Sequence, residues 1–447
     1  MKRTLVLDTR RKIGKKVLLR GWINRRRDHG KIIFLDLRDR SGIVQVVAGK
    51  EGKTLRPEFV VEIEGIVKRR PEGMVNPKIP TGEVEIEAEK IKILASSAPL
   101  PFDLEREELD LELPTLLDYR PLTLRHPKIK AIFKVQETII QSFRDSLKSL
   151  GFTEFVAPAI VPVATEGGAE VFPIKYYDYT AYLGQSPQLY KQIMVSVFER
   201  VFTVAKAYRA EPSMTTRHLS EYISLDVEMG FIDSWEELMD IAEFVIKRIF
   251  TTVEKENQKE LEMFKTHPPS LGGKIPRIKM RKAQEIIFQR TGRDNRTELD
   301  LTPEDEREIC CWAKEEYGSE LVFITHYPVK KRPFYTLPDP QDPDYTLSFD
   351  LLGRGLELIT GGQRINDYHQ LLSHIKKWGN KPEEFELYLQ AFKYGMPPEG
   401  GFAIGAERLT KQILGLKNIK EASLFPRDME RIDVRLSTLK LLTKHRK

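Results

Sequence analysis

YRAEPSMTTRHLSEY, residues Tyr208 to Tyr222, sets Arg209, Glu211, Arg217, His218 and Glu221 within 15 residues. Apolar residues flank it, Val201, Phe202 and Val204 before and Ile223, Leu225 and Val227 after. That is the pattern of two half-buried strands joined by a charged loop. Residues two apart on a strand share a face, so Arg209 and Glu211 project together, as do Asp226 and Glu228 on the return strand. Guanidinium and imidazolium groups suit phosphate oxygens, and a carboxylate suits an amino group. Taken alone, the hairpin reads more simply as an exposed turn with salt-bridged edges.

Working outward, LVFITHYP, LSFDLL and LELIT follow one another without regular helical crossovers, which predicts an antiparallel sheet with helices packed on it rather than a doubly wound parallel one. Helical spacing of Ile129, Ile132, Phe133, Ile139, Ile140, Phe143 and Leu147 predicts a helix opened by Pro127 and stopped near Gly151. Ser234 with Glu237 forms a capping box for a second helix, and Thr302-Pro303 opens a third. FTEFVAPAIVP (Phe152 to Pro162) reads as a strand interrupted by proline. Toward the N-terminus, KVLLRGWI, IIFLDLRD, IVQVVAG, EFVVEIEGIVKRR and GEVEIEAEKIKIL alternate apolar and polar residues between turns, the signature of a small closed barrel of the oligonucleotide-binding kind. The class is therefore α+β: a barrel over residues 1–95, a linker over 96–125 and a sheet-and-helix domain over 126–447.

Composition bounds the function. The chain has 447 residues, 40% hydrophobic and 31% charged, with a net charge of +6. Residues 1–100 carry 23 Lys and Arg against 13 Asp and Glu, and the remainder is slightly acidic, so the basic module is the barrel and its expected partner a polyanion. There is no long apolar run for a membrane span and no secretory leader pattern, and the two cysteines, Cys310 and Cys311, are adjacent. That arrangement suits neither a disulfide framework nor a zinc site, and a cytoplasmic location is expected.

Three further clusters lie outside the barrel. GGFAIGAERL (Gly400 to Leu409) sets glycines before Arg408. LELITGGQR (Leu356 to Arg364) holds Glu357, Thr360 and Arg364. GQSPQLYKQ (Gly184 to Gln192) holds Gln188 and Lys191. Lysine and arginine together suit a small carboxylate, so the clusters point to a site for a nucleotide and an acid.

These stretches resemble the signatures of class II aminoacyl-tRNA synthetases: Tyr208–Tyr222 resembles motif 2, Gly400–Leu409 motif 3, and the segment from Pro127 through Pro158 motif 1, whose proline lies at the family's dimer interface. GQSPQLYKQ, GGQR and TEGGAEVF (Thr165 to Phe172) narrow the resemblance to the aspartyl-tRNA synthetase family. GWINRRRDHGKIIFLDLRDRSGIVQVV resembles the anticodon-binding barrel of bacterial members, whereas the catalytic part resembles the shorter archaeal kind.

The resemblance implies an enzyme that ligates L-aspartate to tRNA-Asp through an aspartyl-adenylate, with ATP as substrate and Mg²⁺ as cofactor. It implies that Arg209 bridges the α-phosphate and the amino-acid carboxylate, that Glu211 and Tyr222 hold adenine, and that Arg217, His218 and Arg408 meet the outer phosphates. Glu357 and Thr360 would hold the metal. Glu166, Gln188, Lys191, Asp226 and Arg364 would hold aspartate, with Lys191 and Arg364 as two charges for its β-carboxylate. Arg26, His29, Phe34, Gln45, Gly73 and Glu85 correspond to anticodon-contacting positions, Phe34 stacking on a base. Members with histidine at the position of His29, together with the nearby glycine, tend to charge tRNA-Asn as well, which implies a functional link to a tRNA-dependent amidotransferase. A homodimer is the family's ordinary state. The chain departs from the family at PPEGG, where Glu399 replaces the histidine of PPHGG, and in its basic tail RLSTLKLLTKHRK (Arg435 to Lys447), read as a solvated helix. Competing readings are an asparaginyl- or lysyl-tRNA synthetase, an ammonia-dependent asparagine synthetase, which needs no barrel, and a single-strand-binding protein, which needs no ATP site.

Overall fold

The computed structural model describes residues 1–30, 32–163, 170–212, 215–433 and 435–438. The chain divides into two compact units, 1–110 and 111–447.

In the first unit, strands β1 (Lys16–His29), β2 (Ile32–Asp39), β3 (Gly42–Ala48), β4 (Val60–Arg69) and β5 (Val84–Ala95) close a barrel in the order β1-β2-β3-β5-β4. Alternation dictates the two faces: Ile33, Leu35 and Leu37 of β2 are fully buried with Leu19, Val46, Ile63 and Ile86, while Phe34, Asp36 and Arg38 face outward. The hairpin between β1 and β2 turns at Gly30, whose φ of +78° suits glycine and whose N–H donates to Asp28 Oδ1 at 2.9 Å.

In the second unit, eight strands form one sheet. In chain order they are β6 (Thr153–Glu154), β7 (Arg200–Tyr208), β8 (Glu221–Gly230), β9 (Arg277–Lys279), β10 (Leu321–Thr325), β11 (Ser348–Gly353), β12 (Leu356–Gln363) and β13 (Glu399–Gly405). Their spatial order is β9-β10-β11-β12-β13-β8-β7-β6. The expected antiparallel pairing holds through the centre, but each edge pair, β6 with β7 and β9 with β10, is parallel. Parallel neighbours require a long crossover. The chain supplies one through α2 (Gln188–Phe198) and another through helix Met280–Thr291 and α4 (Pro303–Tyr317). The proline-interrupted segment splits: Ile160–Val161 leaves the main sheet for a three-stranded one with Pro173–Tyr176 and Tyr179–Leu183.

Helix α1 (Pro127–Ser149) starts with proline in its first turn and the His126 side chain as cap. Glu237 of α3 (Glu236–Glu256) accepts from the Ser234 N–H at 2.9 Å while Ser234 Oγ accepts from Glu236 N–H, and Thr302 with Asp305 forms a full capping box on α4. Apolar residues of α1 and α3 bury against one sheet face, formed by Leu225, Val227, Phe402 and Ile404, with α5 (Ala406–Leu414) joining them. The intervening residues, Ser224, Asp226 and Glu228 of β8 and Ala403 and Gly405 of β13, are therefore turned to the opposite, polar face.

The expected linker is shorter than 96–125. Residues 111–125 belong to the second unit, with helices Leu113–Asp118 and Arg120–Thr123. Buried Arg120 fastens them by donating to the carbonyls of Glu421, Ser423 and Leu424. Of the basic tail, only residues 435–438 are described, and Leu436–Thr438 forms a 3₁₀ turn; the helix expected there lies otherwise outside the described residues.

Candidate functional site

Register builds the polar face. Asp226 pairs with Ala403, Ala403 with Thr360 and Thr360 with Asp350, so these residues form one row across four strands. The small residues of the row leave a floor over which two hollows open. The first is bordered by Arg209, Glu211, Arg217, His218, Glu357 and Arg408. The second is bordered by Gln188, Lys191, Asp226, Arg332, Tyr335 and Arg364. Both are lined by Arg209, Tyr222, Ser224, Glu357, Thr360 and Ala403, so Arg209 stands where they join.

In the first hollow, β7 ends at Tyr208, so Arg209 and Glu211 sit just past the strand rather than on it. They still converge, at 3.8 Å, and the Arg209 guanidinium lies 5.5 Å from the Tyr222 ring centre. Arg408 reaches Glu357 Oε1 at 3.1 Å, which also accepts from the Thr360 hydroxyl at 2.9 Å. Two expectations change. His218 is not a standing cation: burial, then neighbouring Arg408, holds its imidazole below the ordinary value. Arg217 is engaged by protein, donating to Glu306 at 2.5 Å and to the Gly355 carbonyl at 2.6 Å. Burial raises the Glu306 carboxyl to about 7 in spite of that arginine.

In the second hollow, Lys191 lies 3.1 Å from Asp226 and 2.9 Å from Glu228, and Arg364 Nε donates to Glu228 at 2.7 Å. All four are buried. The expected pair of free positive charges is thus corrected to a balanced set of two cations and two carboxylates. Two buried cations without counter-ions are too costly for an empty site, and Glu228 supplies the compensation. Gln188 lines the same hollow, while Glu166 lies outside the described residues. Gly400 and Gly401 make room for protein rather than ligand, since a Cβ on Gly401 would stand 2.2 Å from Glu228 Oε2, whereas Gly405 lines the first hollow.

Sequence reasoning missed Glu228 as the counter-ion, although it had set it on the same face as Asp226. It also missed buried Asp350 and partly buried Arg332, paired at 2.8 Å, with Asp350 beside Thr360. The alternation in LSFDLL was the available signal. Burial pushes the Asp350 carboxyl up to about 6.

On the barrel, Phe34 is only partly buried, between the fully buried Ile33 and Leu35, so it is not a core aromatic. His29 meets its ring edge-on at 5.6 Å. Gln45 donates to Glu85 at 2.9 Å and accepts from Arg27 at 3.1 Å, so these two expected residues do converge. Arg26 does not join them. It pairs with inward-facing Leu35 and bonds Asp28 at 2.7 Å, whereas Arg27 pairs with Phe34 and stands over its ring at 6.0 Å. Gly73 lies in a separate turn, Glu72–Met74, with open space around it.

Comparisons agree with this architecture. Residues 112–429 match the model of tRNA synthetases class II (D, K and N), and residues 17–94 that of an OB-fold nucleic acid binding domain. The aspartate–tRNA(Asp/Asn) ligase of Thermus thermophilus is 44% identical over 96% of this chain and 99% of its own length. The aspartate–tRNA(Asp) ligase of Pyrococcus furiosus is 41% identical over 94% and 96%. Among solved structures, asparaginyl-tRNA synthetase from Pyrococcus horikoshii complexed with asparaginyl-adenylate superposes with a TM-score of 0.85 at 34% identity, covering 97% of this chain and 99% of that one.

Proposed function

This chain belongs to the class II tRNA synthetases of the aspartate, lysine and asparagine group, and we propose that it joins L-aspartate to tRNA-Asp and also to tRNA-Asn. The observation that carries the reading is the junction at Arg209 of a hollow lined by Glu211, Arg217, His218 and Arg408 with one ending in Lys191 and Arg364.

ATP occupies the first hollow, its adenine beside Tyr222 and Glu211 and its outer phosphates toward Arg217, His218 and Arg408. Aspartate occupies the second, its β-carboxylate toward Lys191 and Arg364 and its ammonium toward Gln188 and Asp226. An oxygen of the aspartate α-carboxylate attacks the α-phosphorus, the bond to the β-phosphate oxygen breaks, and pyrophosphate leaves. The terminal ribose hydroxyl of the tRNA then attacks the adenylate carbonyl, loses its proton, and AMP leaves. Arg209, between the hollows, neutralises charge where the new bond forms, so catalysis is alignment and charge compensation.

Among the described residues no group of three or more His, Cys, Asp or Glu side chains surrounds a common point. The pair of Glu357 and Thr360 fits a magnesium ion that arrives on phosphates, since Mg²⁺ takes one or two protein oxygens and keeps water and phosphate for the rest. Bound there, the ion would neutralise phosphate charge.

Exchange of labelled pyrophosphate into ATP tests the amino-acid choice. Aspartate supports it, and asparagine and lysine do not; asparagine-dependent exchange equal to that with aspartate contradicts the reading.

We further propose a homodimer through the motif 1 edge. Supporting it, Val156, which follows β6, is 93% exposed, and Val197 and Phe198 before β7 and Phe231 after β8 are also exposed. An amidotransferase acting on Asp-tRNA-Asn would be the functional partner in the cell.

A further inference from the structure

Glu399, the departure from the family's histidine, is fully buried beneath the second hollow. Its Oε1 accepts from Gln192 Nε2 at 2.6 Å, and no donor reaches its Oε2. Its side chain is within hydrogen-bond contact of Glu228, which is also fully buried. Two carboxylates in such contact share a proton or repel each other. Glu228 is held ionised by Lys191 and Arg364, which both bond it. The proton therefore belongs on Glu399, and an O–H at Oε2 donating to Glu228 satisfies the orphaned atom. The local charge count agrees: Lys191 and Arg364 balance Asp226 and Glu228, and an ionised Glu399 would add a buried negative charge to that balanced set.

A second chain runs the other way. Gln192 Oε1 accepts from Gln188 Nε2 at 3.0 Å and from the Tyr388 hydroxyl at 3.1 Å. With Gln192 Nε2 committed to Glu399, its amide orientation is fixed. Gln188 then turns its own Nε2 inward, which leaves its carbonyl oxygen, an acceptor, for an ammonium group in the hollow.

We propose that Glu399 is a positioning residue for the amino-acid hollow, acting as a carboxylic acid that donates to Glu228 and accepts from Gln192, and so sets both the charge balance around Lys191 and Arg364 and the direction of Gln188. It acts on substrate only through these neighbours. Burial and the adjacent Glu228 raise its carboxyl well above the ordinary range, against Arg364 and Gln192, which lower it. The other titratable groups facing the cluster are Lys191, Asp226, Tyr335 and Tyr388.

The inference rests on the second hollow being the aspartate site. Wild-type protein is assayed first by aspartate-dependent pyrophosphate exchange; its failure there would sink that reading rather than this one. Given wild-type activity, Glu399→Gln keeps both hydrogen bonds without a titratable proton. Its KM for aspartate stays within about threefold of wild type, while Glu399→Ala raises that KM by about tenfold or more and leaves KM for ATP within about twofold. Infrared difference spectra at pH 8, wild type minus Glu399→Gln, show a positive protonated-carboxyl C=O band, present in wild type and lost in the variant. A Gln variant impaired as much as a severe Ala variant, an unchanged KM for aspartate in the Ala variant, or loss of an ionised-carboxylate band instead would each overturn the proposal. Should the Ala variant not fold, the Gln variant and the infrared band decide.

Discussion

Arg217 shows how a single residue's partners change its meaning. The guanidinium suited to outer phosphates is occupied by Glu306 and the Gly355 carbonyl, so ATP must displace a charged partner to use it. The Glu306 carboxyl titrates at about 7, raised by burial. Below that pH Glu306 is increasingly neutral and releases the arginine; above it the ion pair is at full strength. KM for ATP is therefore expected to fall as pH is lowered through 7. Glu306→Gln should lower KM for ATP by about 3- to 10-fold at pH 8, roughly 1 kcal/mol, and flatten the pH dependence. An unchanged KM at pH 8 counts against Arg217 as a phosphate ligand. Lys191 is the converse case, an expected ligand that also holds protein carboxylates together. Lys191→Met leaves Asp226 without its ion pair and Glu228 with Arg364 alone, at a cost of about 3–5 kcal/mol, and should cut kcat/KM for aspartate by more than about a hundredfold. Exchange kinetics and a melting curve on the same preparation check both effects. Residue types and spacing made these side chains legible in the sequence. Their pairings were not: Glu306 lies 89 positions from Arg217, and Glu399 lies 207 from Gln192, and no local pattern encodes such contacts.

At the scale of elements, the sequence was read best where the rules are local. The helix opening at Thr302-Pro303, the proline start of α1 and the alternation of β2 follow from neighbours a few positions apart. It was read worst where one residue shifts a register. In β1 the pairing with β2 slips between Ile23 and Arg25. Strict alternation from buried Ile23 would turn Arg26 outward, but the bulge reverses the faces and brings Arg27 out beside Phe34 instead. This gives a direct comparison of two adjacent arginines. Arg27→Ala should raise KM for tRNA by about tenfold, near 1.4 kcal/mol, and Arg26→Ala by much less; the reverse order of effects refutes the assignment of the outer face. On β13, Gly401→Ala sets a Cβ against Glu228 and should lower stability by about 1–3 kcal/mol, with loss of aspartate-dependent exchange, as read by thermal melting and the exchange assay. No expectation from sequence singled out Gly401 among its neighbouring glycines, because the atom it makes room for comes from another strand.

The whole molecule separates chemistry from reading. The sheet unit, residues 111–447, carries both hollows, and the barrel unit, residues 1–110, carries the outward face around Phe34, Gln45 and Glu85. A chain of residues 111–447 should keep aspartate-dependent pyrophosphate exchange and lose most tRNA charging; loss of exchange in a folded sample would show that activation needs the barrel. Sedimentation of the full chain should give about twice 51.8 kDa, and an active monomer at micromolar concentration contradicts the dimer. The central claim, that one site makes aspartyl-adenylate and delivers it to two tRNAs, turns on the anticodon's third base, for which we propose the exposed His29, edge-on to Phe34, as the reader. An imidazole offers a donor and an acceptor to either base, which leucine does not. The measurement is kcat/KM for aspartylation of purified tRNA-Asp and tRNA-Asn by wild type and by His29→Leu. The account predicts wild-type values within about tenfold of each other and a shift toward tRNA-Asp in the variant; a wild-type preference for tRNA-Asp above about a hundredfold, ~2.7 kcal/mol, or an unchanged ratio in the variant, would contradict it.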